Sequence, residues 1–356
     1  MSKRLYLPLI GFALLALLAA LWAGLLRLGW TLPTLTSNFA MLHGPLMVSG
    51  FLGTLVALER AVALRQKWMF SAPLLTGLGW MSLLVFPTFL PGAILLTLGS
   101  LGAVGILAFI THRETQIFTI TMLVGAITWF VGNVLWMLGQ PIFQIVFLWQ
   151  AFLVLTIAGE RLELNRVLRP TRQAILLFIA AASLYFCGVM LSTFVLSWGT
   201  RLAGIGMLLL GAWFLRYDLA LRNLHHRLPI TRYIAWSLSS GFVWLLVGGI
   251  LNLIFGAMYA GPYYDAALHT VFVGFVISMI FGHAPIIFPA ILGIPITFHR
   301  IFYTQLILLH TSLVIRILGD LLTNLSIRQW GGLLNEVAVL LFLGTTLYSL
   351  QKGSKS

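Results

Sequence analysis

Apolar runs long enough to cross a bilayer follow one another down this chain, separated by short polar breaks. About 20 residues at ~1.5 Å rise cover a ~30 Å hydrocarbon core. On that basis transmembrane helices are predicted near residues 5–30, 39–62, 69–90, 91–110, 117–138, 141–160, 174–196, 198–217, 232–258, 264–291, 300–319 and 330–350. Twelve helices on short loops leave no room for a soluble domain, so residues 1–356 are predicted as a single all-α transmembrane domain. Two joints are very tight: only Pro91-Gly92 separates the third helix from the fourth, and only Trp198-Gly199 the seventh from the eighth. The first run follows Lys3 and Arg4 as a signal peptide would, but its length and the lack of a small-residue cleavage site predict an uncleaved anchor.

Composition excludes a soluble globule, because 60% of residues are hydrophobic, 8% are charged and the mean hydropathy is +1.02. The net charge of +13 does not indicate nucleic acid, since the basic residues are scattered singly through the loops. They read as topology signals. All of the 21 Lys and Arg except Arg27, Arg201, Arg316 and Arg328 fall on one side of the predicted bundle, which predicts both termini in the cytoplasm and an inner-membrane location. The same clusters suit anionic lipid head groups. A lone cysteine, Cys187, excludes an internal disulfide, a paired-thiolate copper centre and a CxxCH haem attachment.

The candidate chemistry lies in histidines. His112, His225, His226 and His299 fall in cytoplasmic loops and read as solvated, whereas His43, His269, His283 and His310 fall within helices. Titratable groups in lipid are costly and mark function. The stretch from Asp265 to Leu292 carries two of them. Fourteen residues at about 100° each return to within ~40° of the starting direction, so His269 and His283 are expected on one face, roughly 21 Å apart along the axis. His43 and His269 are expected at similar depth near the outer ends of the second and tenth helices, and His283 and His310 at similar depth in the inner half. Two imidazoles at one depth suit the axial positions of a haem iron. Haem ligation, a satisfied polar pair in the core, and a bare metal or proton relay are all open readings of the outer pair.

Around that pair, Asp265 lies four residues before His269 and can accept the ring N–H that fixes the ligating tautomer. Arg27 and Arg316 are cations placed for haem propionates, although Arg316 can also pair with Asp320 one turn on. Gly44, Gly50 and Gly53 leave room beside His43 for a flat macrocycle, or for plain helix packing. Pro285, Pro289 and Pro295 are expected to kink the chain after His283. Glu336 and Asn335 suit a proton path, a quinol pocket or a hydrogen bond to a neighbouring helix. Asn133, Gln150 and Asn252 read as interhelical hydrogen bonds. Glu59-Arg60 and Glu160-Arg161 close the second and sixth helices and hint at a four-helix repeat.

The sequences LHGPLMVSGF in the second helix and LHTVFVGFVISMIFGHAPI in the tenth resemble the catalytic subunit of haem-copper oxidases and nitric oxide reductases. They also resemble the related twelve-helix NnrS family of haem- and copper-containing membrane proteins linked to nitric oxide metabolism. The resemblance implies a haem-copper-oxidase-like bundle with haem b on His43 and His269, electron transport, and nitric oxide or a quinol as partner. It leaves a second haem or a copper at His283 and His310. Departures are definite: the sixth and seventh helices contain no histidine for copper, Ala267 stands where the oxygen-binding haem takes its ligand, and the NnrS motif GHTGR reads GHAPI. The resemblance therefore implies a haem-binding relative without a complete binuclear centre. A transporter or assembly factor moving haem, metal or a small solute along the histidines is the alternative.

Overall fold

The computed structural model describes residues 6–292 and 297–353 and is all-helical across them. Twelve helices are long and apolar enough to cross a membrane: α1 Leu7–Arg27, α2 Phe39–Leu64, α3 Lys67–Val85, α4 Leu90–Arg113, α5 Ile117–Met137, α6 Ile142–Leu168, α7 Arg172–Ser192, α8 Leu196–Arg222, α9 Pro229–Phe255, α10 Pro262–Ile287, α11 Phe302–Leu321 and α12 Leu325–Gln351. The helix of α10 runs on to Leu292. Each matches one apolar run of the sequence.

Both tight joints move. Pro91 falls in the first turn of α4 and the break lies before it, over residues 86–89. A proline in the first turn loses no helix bond and starts the helix at the φ it requires. Pro8, Pro229 and Pro262 open α1, α9 and α10 in the same way. Trp198 and Gly199 likewise lie inside the first turn of α8, with the break at residues 193–195. Helix α6 extends past Glu160-Arg161 to Leu168. Pro285 and Pro289 sit within a helix that continues through both, while Pro295 and residues 293–296 of the expected inner loop lie outside the described residues.

The chain forms two compact units, Met1–Thr156 and Ile157–Ser356. In the first, the core is tied by a polar chain. Trp129 on α5 donates to Ser49 on α2 at 2.9 Å, Ser49 donates to Asn133 at 3.2 Å, and Trp149 on α6 donates to the same Asn133 oxygen at 3.0 Å. The Asn133 amide then donates to the Leu96 carbonyl of α4 at 3.3 Å, so Asn133 joins helices as expected. Gln150 departs from that expectation. It is fully buried, and neither of its amide atoms has a hydrogen-bond partner among the described residues.

In the second unit, small residues set the spacing. A Cβ at Gly319 would meet the backbone of Arg328, and one at Gly331 the backbone of Arg316, so α11 and α12 approach closely in that layer. Leu251, Ala266, Ala267, Leu313 and Ile317 form an apolar cluster of α9, α10 and α11 beside it. Asn252 donates to its own helix at Gly248, 2.8 Å, and only weakly to the Met207 sulfur of α8 at 3.9 Å.

Burial singles out α2, α6 and α10. In their most apolar stretches 67%, 83% and 67% of residues are buried, whereas no other helix exceeds 50%. Burial thus peaks at a four-helix interval, the interval of the Glu-Arg pairs. In addition, α2 and α10 each contain an eight-residue π-helical segment, Leu46–Gly53 and Thr270–Ile277. π segments are rare and gather at functional sites. They also wind more residues into each turn, so 100° per residue does not hold between His269 and His283, and the single-face expectation lapses.

Candidate functional site

In the first unit, His43 stands at the start of an α-helical turn of α2, three residues before the π segment. Its Nδ1 lies 2.8 Å from the Ala20 carbonyl of α1. A carbonyl only accepts, so Nδ1 carries a proton, and in the neutral ring the lone pair is then on Nε2. Ala20 is buried with no exposed surface, which makes this bond a fixed anchor for the ring. Beside it, a Cβ on Gly44 would touch the Trp149 ring at 3.7 Å and nothing else among the described residues. Arg27 is exposed at the C-terminal end of α1.

In the second unit, His269 stands one residue before its own π segment. Its Nδ1 lies 2.9 Å from the Asp265 carbonyl and 3.3 Å from the Asp265 carboxylate. The ring N–H is therefore held by Asp265, chiefly through its backbone. On the other side, Arg316 Nη2 lies 3.2 Å from His269 Nε2. A guanidinium only donates, so Nε2 again carries the lone pair and the ring is neutral.

Arg316 also donates to both Asp265 oxygens, Nε to Oδ2 at 2.8 Å and Nη2 to Oδ1 at 2.9 Å. This bidentate pair replaces the expected Arg316–Asp320 pairing, because the neighbouring helix offers a better-aligned fork than the next turn of the same helix. Arg328 joins the group. Its Nη2 lies 3.5 Å from Asp265 and its Nε 3.0 Å from Asp320 Oδ1. Asp320 is fully buried, and the contact with Arg328 lacks hydrogen-bond alignment. Arg328 stood out in the sequence only as one of the few outer cations; its place four residues into α12 after a tight turn was the available signal.

Further along, His310 accepts a hydrogen bond from Trp244 of α9, Nε1 to Nδ1 at 3.0 Å, with the rings stacked at 6.5 Å. That bond puts the His310 proton on Nε2. The Trp244 partner was missed in the sequence, where a tryptophan in an apolar helix carries no mark of its bond. His283 is half-buried on α10. Asn335 of α12 donates to Ser312 at 2.6 Å and to the Leu309 carbonyl at 3.3 Å, an interhelical bond to α11.

The donor set gives a direct test of fit to haem. His43 and His269 both have Nδ1 bonded to a backbone carbonyl, which in the neutral ring puts the lone pair on Nε2, the form an axial ligand needs, and at His269 that nitrogen lies against Arg316 Nη2. At His269 the iron would take the place of one Arg316 N–H, leaving the fork to Asp265 through the other contacts. His310 as bonded offers an N–H at Nε2. Among the described residues no group of three or more His, Cys, Asp or Glu side chains can hold a bare metal ion.

Twelve helices long and apolar enough to cross a membrane, with half-buried histidines in two of the three most buried, define a polytopic all-α integral membrane protein. The chain belongs to the family DUF8744, described as a domain of unknown function, whose model matches residues 4–351. No curated protein and no solved structure matches it.

Proposed function

We propose that this is a haem-binding protein of the cytoplasmic membrane, with both ends inside, in which His43 and His269 are the axial ligands of haem b. The observation that carries this reading is the common bonding of the two rings. Each sits just ahead of an eight-residue π segment, with Nδ1–H given to a backbone carbonyl at 2.8 Å or 2.9 Å. A histidine that merely satisfies a polar core has no need of one tautomer at both places. When bound, the haem supplies reversible one-electron chemistry.

The protein's own groups do the rest. Asp265 orients the His269 ring and holds Arg316 in place, and Arg316 and Arg27 are the cations for the propionates. The resemblance to the NnrS family supports a role in nitric oxide or respiratory metabolism, with nitric oxide or a quinol as partner. A transporter or assembly factor moving haem, metal or a small solute along the four membrane histidines has less support, since His310 is tied to Trp244. A second haem or copper would have His283 as its ligand.

The test is spectroscopic. Protein purified in detergent is expected to give a pyridine haemochrome and a low-spin spectrum that sharpens on reduction. His43→Ala and His269→Ala are each expected to abolish the low-spin signal while membrane insertion is retained. A full low-spin spectrum in both variants would refute the ligand assignment, and haem-free wild-type protein the haem reading itself.

A further inference from the structure

The second unit has an open cavity of about 560 Å³, lined by Pro229, Arg232, Phe298, Arg300 and Tyr303. We propose that it binds a phosphate group, carried by an anionic lipid head or by a soluble phosphate ester. This site is separate from the histidines and does not depend on the haem reading.

Two features point to an anion, and a third to the organic group that carries it. The first is charge. Arg232 and Arg300 are both exposed at the cavity, and none of the eight Asp and Glu residues lines it. Two guanidinium groups with no carboxylate between them repel one another until an anion bridges them, and the planar fork matches phosphate oxygens. The second is backbone polarity. Pro229 opens α9, and Arg300 and Tyr303 flank the start of α11 at Phe302, so the positive ends of two long helices adjoin one cavity. Neither helix has an acidic residue in its first turn to neutralise that end.

The third feature is a rigid wall: Tyr233, fully buried, meets Phe298, Phe302 and Tyr303 at ring distances of 5.7, 5.6 and 5.5 Å. That wall is fixed in shape and apolar, suited to the organic part next to a phosphate. The position at the ends of two spanning helices is where lipid head groups lie.

The full-length protein, delipidated in an uncharged detergent, tests this by its melting temperature against inorganic phosphate, short-chain phosphatidylglycerol and short-chain phosphatidylcholine. The melting temperature is expected to rise with a phosphate ligand of net negative charge and not with zwitterionic phosphatidylcholine. Arg232→Gln/Arg300→Gln is expected to need roughly tenfold more ligand or beyond for the same rise. Arg169→Gln/Arg172→Gln, at exposed basic positions elsewhere, should respond as wild type. A response to phosphatidylglycerol alone assigns the lipid head group, whereas inorganic phosphate that matches it or competes with it assigns a soluble ester. No rise with either, an equal response to phosphatidylcholine, or an equal response of wild type and the first double variant overturns the proposal. Should that double variant fail to fold, the exposed single change Arg300→Gln carries the same reading with a smaller shift.

Discussion

One side chain on α11, Arg316, donates to both oxygens of Asp265 and to Nε2 of His269, and so fixes two residues of α10 at once. Asp265→Asn keeps the shape of the side chain but leaves Arg316 and Arg328 facing a neutral amide in a largely buried layer. Breaking one partner of a buried ion pair costs roughly 3–5 kcal/mol, so a large drop in melting temperature is expected. An unchanged melting temperature would show that the pair carries no structural weight. Asp265 beside His269 was legible in the sequence because four residues make one helical turn. The pairing of Asp265 with Arg316 was not, because the partners lie on different helices and Asp320 stood nearer in the chain. Gly319 and Gly331, whose bare backbones let α11 and α12 approach closely, bring Arg328 of α12 alongside Arg316.

At the scale of the element, apolar run length found every spanning helix, since the bilayer imposes that length whatever the tertiary fold. It misplaced the joints, since Pro91 and Gly199 read as breaks and serve as first-turn residues. The π segments could not be read at all, because their wide turns answer to packing partners on other helices rather than to local composition. Gly53 shows such a partner: a Cβ there would enter the Trp129 indole. Gly53→Leu is therefore expected to destabilise the first unit by about 1–3 kcal/mol or more through overpacking. It should also disturb the Trp129 bond to Ser49, read as a shift in tryptophan fluorescence. Gly11→Ala, where the added Cβ meets nothing within 4 Å, is the control and should change neither.

For the whole molecule, the basic residues set the expected orientation and the twelve helices set its consequence: loops must alternate sides. In a Cys187→Ser background, a cysteine at Gln140, between α5 and α6, is expected to react with an impermeant maleimide added outside intact cells. One at Thr115, between α4 and α5, should stay protected until the membrane is opened. The reverse pattern would invert the bundle. The deep burial of α2, α6 and α10 had only a faint trace in the sequence, the repeated Glu-Arg pair, because burial in a bundle depends on which neighbours surround a helix and lipid is as apolar as a protein core.

The wide-wound stretches after His43 and His269 make α2 and α10 screws with two pitches. If the boundary between the pitches advances by one residue, everything beyond it turns about the axis while the ring ahead of it keeps its place on the carbonyl. In α10 the far part includes His283, Pro285 and Pro289. The two histidines of that helix are thus geared to each other through a coarse thread, and a change of one residue in its length reaches the far end as rotation rather than as displacement.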